Sequence, residues 1–211
     1  MKKILVYLSC IMIVMLLSGC SMDNTPTKKV ENFLDNYTSQ NDTVLNQLKE
    51  MVDSDTMMDE NQRNTYSDIM KRQYKDMTYE IKDETINGDN ATVTAEIEVY
   101  DYYKTNKDAE NYYNNNPNEF SNNNNEGLVE KAGDAVKNAV DNAKDAVNNA
   151  TSNTNNNSDS KYIEYRLKQL TNTKDRVKYT LDFTLTKIND KWKLNDIDDV
   201  TRQKIHGLYE H

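Results

Sequence analysis

Side chains able to do covalent or acid–base chemistry are scarce in this chain of 211 residues, which holds two cysteines and two histidines. Cys10 lies inside an apolar run, and Cys20 directly follows Leu17, Ser18 and Gly19. A thiol is a strong nucleophile among neutral side chains, and the small residues at 18 and 19 give a peptidase access to the bond before Cys20. His206 stands between Ile205 and Gly207, and His211 is the last residue. Proton transfer needs a group tuned toward neutral pH, usually with a partner. No carboxylate dyad is recognisable beside His206, which therefore reads as structural or exposed, and no catalytic residue is assigned. Tyr179 is the one polar tip on an otherwise apolar strand face, and it and Phe183 are the candidate ligand-cavity residues. Asp53, Asp55 and Asp59 are spaced as in a calcium loop, but Met58 occupies the position where the sharp turn needs glycine. No zinc spacing and no glycine-rich phosphate loop occurs, so no metal or cofactor is expected.

Lys2 and Lys3 precede fourteen uncharged residues, Ile4 to Leu17. Charge, length and small-residue exit mark a secretory signal, too short for a stable bilayer span. Leu17, Ser18, Gly19 and Cys20 together resemble the bacterial lipobox in all four positions. The resemblance implies a diacylglyceryl thioether on Cys20 after cleavage of residues 1–19, and attachment to the extracytoplasmic face of the cell membrane. Two or more acyl chains suffice for stable anchoring. Cys10 then leaves with the signal, and no disulfide framework is possible in the mature chain.

The net charge is -9, and loss of Lys2 and Lys3 takes it to -11. An acidic chain has no electrostatic route to a phosphate backbone, so nucleic acid is not an expected partner. The charge is uneven. Lys161 to Lys193 carries nine basic against four acidic residues, and Lys178, Lys187, Lys191 and Lys193 are expected to face out on a sheet. Such a surface either meets anionic envelope polymers or lipid heads, or is simply solvated.

The elements that must position these residues follow from periodicity. Residues 20–25 are a tether, and Pro26 at the first helical position opens a helix after Thr25. Val30, Phe33, Leu34 and Tyr37 share its buried face. A second helix is expected to be capped by Asp42 and to bury Leu45, Leu48 and Val52. A third carries Tyr66, Ile69, Met70, Tyr74 and Met77. Asn87-Gly88 marks a hairpin, after which Val93, Ala95, Ile97 and Val99 alternate with polar residues, the pattern of an antiparallel sheet covered on one side. Ile163, Leu167 and Leu170 favour a helix. Val177 to Leu185 alternates again, Asn189-Asp190 turns the chain to Trp192 and Leu194, and a last helix carries Val200, Ile205, Leu208 and Tyr209.

Between 104 and 160 the chain is Asn-rich and is expected to be disordered. Within it, Val129, Ala132, Val136, Ala139, Ala143, Ala146 and Ala150 form a heptad stripe built mostly of Ala. Such a stripe buries little area, and the reading favoured over a coiled coil or membrane-surface helix is a marginal, solvated helix in a flexible insertion.

Helices first, then an antiparallel sheet closing in the hairpin Asn189-Asp190-Lys191-Trp192, resembles the nuclear transport factor 2-like superfamily, with its cystatin-like fold. Phe33-Leu34, the strand from Tyr179 to Lys187 and the close from Ile205 to Tyr209 also carry the likeness. It is similar, more narrowly, to small lipoproteins of low-GC Gram-positive bacteria. The resemblance implies an α+β fold, N-terminal helices on a curved antiparallel sheet enclosing a cone-like cavity, over one domain of residues 26–103 and 161–211 with the insertion at 104–160. Members of such a fold include enzymes, binding modules and assembly domains, so fold does not give function. The expectation is a membrane-anchored, non-enzymatic domain binding a small ligand or an envelope protein. The alternatives are an enzyme of the same fold with its site in the cavity, and a structural cell-surface spacer.

Overall fold

The structure is a computed structural model that describes residues 24–121 and 157–211. Leu17, Ser18, Gly19 and Cys20, and the stripe from Val129 to Ala150, lie outside the described residues. The fold is α+β, with helices packed on a four-stranded antiparallel sheet in the order β1-β2-β3-β4.

Helix α1, Pro26–Thr38, begins as the sequence predicts: the Thr25 side chain accepts from Lys28 N, and Pro26 holds the first position. Val30 and Leu34 are fully buried, each contributing about 2 kcal/mol by removal of apolar surface from water. Helix α2, Asp42–Asp53, is capped one residue earlier than expected, by Asn41, and buries Val44, Leu48 and Val52 while Leu45 is half-buried. An amide oxygen aimed at Val44 N satisfies an orphan donor as well as a carboxylate does, and Val44, Leu48 and Val52, each four residues apart, form the buried face. Helix α3, Glu60–Asp76, starts with a reciprocal capping box between Asp59 and Gln62 and buries Ile69, Met70 and Tyr74.

Strands β1, Thr78–Asn87, and β2, Asn90–Tyr100, form a hairpin whose central pair is Gly88-Asp89, with Gly88 at φ +60°. Glycine at the first central position is what a type II′ turn requires. Strand β3, Arg176–Ile188, pairs with β2, and β4, Lys191–Leu194, with the end of β3. Asn189 and Asp190 both adopt positive φ in the turn between them. The inner face is the predicted one: Val93 pairs with Phe183, Ala95 with Leu181 and Ile97 with Tyr179, all buried. Phe33 of α1 meets Phe183 edge-on, with ring centroids 5.6 Å apart, which seats α1 on this face.

The boundary expected at residue 104 is wrong. Helices α4, Tyr102–Asn115, and α5, Pro117–Phe120, continue the fold, and α6, Asn157–Asn172, starts before Lys161. The Asn content hides an apolar face: Tyr102, Ala109 and Tyr113 recur on one side of α4, and Tyr102 and Ala109 are buried. Phe120 is 3% exposed, with its ring among those of Tyr112, Tyr113, Tyr162 and Tyr165 at centroid distances of 5.0–6.4 Å. Ile163, Leu167 and Leu170 are buried on α6, as a helix there predicts. Helix α7, Asp199–Ile205, is shorter than expected: Val200 is exposed, while Leu208 and Tyr209 pack beyond its end.

At the end of β2, beyond its last pair with β1 (Thr78 with Glu98), side chains take over the backbone hydrogen bonds. Gln73 is fully buried; its Oε1 accepts from Tyr100 N at 2.8 Å and its Nε2 donates to Tyr100 O at 3.2 Å. The guanidinium groups of Arg72 and Arg176 both lie over the Tyr100 ring, at 4.4 and 4.9 Å from its centroid. Gly207, at φ +69°, passes against the Tyr100 carbonyl so closely that a Cβ would collide with it.

Candidate functional site

The sheet's helix-covered face does not fill completely. A cavity of about 550 Å³ opens between α1, α2, α3, the segment after β4 and α7. Its apolar wall comes from Phe33, Val44, Leu48, Met51, Leu194 and Ile197, and its polar groups are Gln47, Asn195, Asp196, Arg202 and His206 with the hydroxyls of Tyr37 and Tyr74. The aromatic residues form a chain: Phe33 meets Tyr37 at 5.4 Å and Tyr37 meets Tyr74 at 5.1 Å, both edge-on.

Tyr74 and His206 form a buried polar pair in the cavity wall, the hydroxyl lying 3.1 Å from Nε2. His206 is brought there because it ends α7, its N–H donating to Arg202 O, while Tyr74 projects from the last turn of α3. Burial pushes the His206 ring down to about 4, helped by the nearby Arg202 guanidinium. Burial likewise raises Tyr74 well above the usual phenol range, reinforced by the hydroxyls of Tyr37 and Tyr66. Burial raises Tyr37 too, with Arg202 opposing. At neutral pH the floor is therefore uncharged, and the charges, Arg202 and Asp196, stand exposed at the rim. Arg202 is held there by Asp199 and donates to Ile197 O at 3.4 Å.

Neither Tyr179 nor Phe183, the expected cavity residues, lines this cavity, although Phe183 borders a smaller one of about 150 Å³ beside Leu194 and Ile197. Tyr179 is buried on the inner face of β3, where its hydroxyl donates to Tyr209 O at 2.7 Å and lies 3.5 Å from His211 Nδ1. Burial and the Asp101 carboxylate push it up to about 12. Phe183 is 1% exposed, with its ring against that of Phe33. Alternation places a residue on the inner face of a sheet but does not say which part of that face a helix covers. His211 pairs with Asp101, Nε2 to Oδ2 at 3.3 Å, away from His206.

Asp53, Asp55 and Asp59 are not brought together as ligands. Asp53 pairs with Lys49, Asp55 Oδ1 accepts from Met57 N and Met58 N, and Asp59 caps α3. Among the described residues, no group of three or more His, Cys, Asp or Glu is placed to hold a metal ion. Arg202 is among the cavity residues that sequence reading passed over, with Gln47, Met51, Asn195 and Asp196, although its place four residues before His206 puts both on one face of a helix. No family model, curated protein or solved structure matches the chain.

Proposed function

We propose that the protein is a lipoprotein of the extracytoplasmic membrane face, held by lipid on Cys20, and that its domain, of the nuclear transport factor 2-like type, binds a small ligand. The observation carrying the binding reading is the cavity. Its volume falls within the range of small-molecule sites, which are concave, mostly apolar and oriented by a few polar groups. Its polar layout suits a ligand with an apolar body against Phe33, Leu48 and Met51 and a polar end at the rim near Arg202. Binding is favoured over catalysis because burial, with Arg202 nearby, makes the His206 ring a weak base at pH 7, and its Nε2 is engaged by the Tyr74 hydroxyl.

The experiment takes the acylated protein from membranes and analyses it by native mass spectrometry for co-purifying small molecules, beside Met51→Trp, which fills the cavity mouth. Met51 is half-buried, so the larger ring can be accommodated without opening the core. A ligand mass present in the wild type and lost in the variant is expected; identical spectra refute the cavity reading. The attachment is tested separately. Cys20→Ala should move the protein from the membrane to the soluble fraction, and an unmodified mature N-terminus in the wild type refutes it.

A further inference from the structure

We propose that the hairpin end of the sheet, with exposed Ile86 and Ile188, lies against the outer leaflet of the membrane that holds the Cys20 lipid. The proposal rests on the lipoprotein reading above. It starts from where the fold receives its N-terminal chain. Asn24 is clamped to the β3–β4 turn: its Nδ2 donates to Asp190 O at 2.9 Å, and its Oδ1 accepts from Trp192 N at 3.1 Å. Thr27 then ties the first turn of α1 to β1, its N and Oγ1 both donating to Glu84 Oε2, at 2.8 and 2.6 Å. Only four Cα steps separate Cys20 from Asn24, a reach of at most about 15 Å. An acylated Cys20 at the lipid interface thus keeps Asn24 within that distance of the bilayer, and the β3–β4 turn bonded to Asn24 close behind it. The opposite end of β2 is ten residues, about 33 Å, farther along the strand.

The surface at this end has the chemistry of a membrane contact. Ile86 and Ile188 are each 51% exposed, although both are large and apolar. Ile86 shares a cross-strand row with Ala91 and Leu185, and Ile188 lies three residues beyond Leu185, so both sit at the same end of the sheet. Lys187, Lys191 and Lys193 stand there against Asp89 and Asp190. The mature chain otherwise carries a strongly negative charge, and an anionic leaflet repels its other faces more than this one. The short tether selects the end, and the isoleucines and lysines give that end an interface to settle on.

The test uses the acylated full chain. With the signal removed and Cys20 acylated, a cysteine placed at Ile86→Cys, Ile188→Cys or Glu110→Cys is the single free thiol. Glu110 is exposed on α4, which starts from the opposite end of β2. Each variant is labelled with an environment-sensitive fluorophore and reconstituted into phosphatidylcholine–phosphatidylglycerol vesicles with or without brominated lipid. Quenching of about two-fold is expected at 86 and 188, the depth reached by interfacial apolar side chains, and none at 110. Labels at 86 and 188 as unquenched as at 110, in protein whose N-terminal mass shows acylated Cys20, overturn the membrane-facing surface while the lipoprotein reading stands. Absence of the acyl mass overturns both. Labels shielded in intact envelopes but unquenched in vesicles assign the face to another envelope component and also overturn the proposal.

Discussion

When the pH falls, a proton reaches the His206 ring far more easily in the unfolded chain than in the fold. The ordinary imidazole value is 6.5, and burial with Arg202 nearby takes the folded value to about 4. Between those two values the unfolded state binds the extra proton and the folded state does not. Stability from this residue is thus complete above the unfolded value and is lost as pH falls through the window toward 4. The width of the window corresponds to about 3 kcal/mol, a large share of a domain's net stability. Tyr74 does not share the titration, because its own value is driven the other way, far above neutral.

The perturbation is His206→Gln, which removes the titrating ring while retaining a group that can hydrogen-bond the Tyr74 hydroxyl. Urea unfolding, followed by the fluorescence of the buried Trp192, is measured for both proteins at several pH values from about 7.5 down to about 4.5. The stability difference between the proteins should be constant above about pH 6.5. It should then shift against the wild type by about 1.4 kcal/mol per pH unit. Carboxylates titrate in both proteins and cancel. Parallel stability curves across the window would refute the reasoning, since they would mean a ring already protonated or solvated in the fold.

Gly207→Ala forces a side chain into positive φ and against the Tyr100 carbonyl; a loss of at least about 2 kcal/mol is expected in thermal unfolding. Phe120→Ala empties the centre of the tyrosine cluster and should cost about 3–5 kcal/mol. Replacing 106–158 with a Gly-Ser linker removes Ala109 and Phe120 together, so a loss of similar size or larger is expected by urea titration. An unchanged midpoint in either case would show that α4 and α5 are not part of the cooperative unit.

The strands were legible because their period is short and their burial is one-sided. Val93 to Val99 and Tyr179 to Leu185 alternate without interruption, and the structure pairs these two runs across the same register. The turns were legible for the same local reason: Gly88, Asn189 and Asp190 are residue types that tolerate positive φ. Composition misled where it outweighed periodicity. Asn-rich sequence from 104 to 121 reads as disordered, yet Ala109 and Phe120 are both buried, because a helix needs only one apolar side to pack.

The candidate site was far less legible, and the cause is the distance in sequence between its walls. Phe33, Leu48, Tyr74, Ile197 and His206 come from five separate segments, and each looks like an ordinary core or loop residue within its own segment. What makes them a site is that α2 and the chain after β4 stop short of filling the space over Phe33. Such a packing deficit leaves no mark in any local pattern. The rim charge does leave a trace: Arg202 precedes His206 by one helical turn, and the nearby guanidinium helps keep that ring neutral. The same positive charge that disfavours a protonated His206 would favour a negative group on a ligand at the rim, so the His206→Gln comparison also bears on binding. If ligand affinity survives in His206→Gln but falls in Arg202→Gln, the ring serves the floor of the cavity and the guanidinium receives the ligand; equal losses would refute that division.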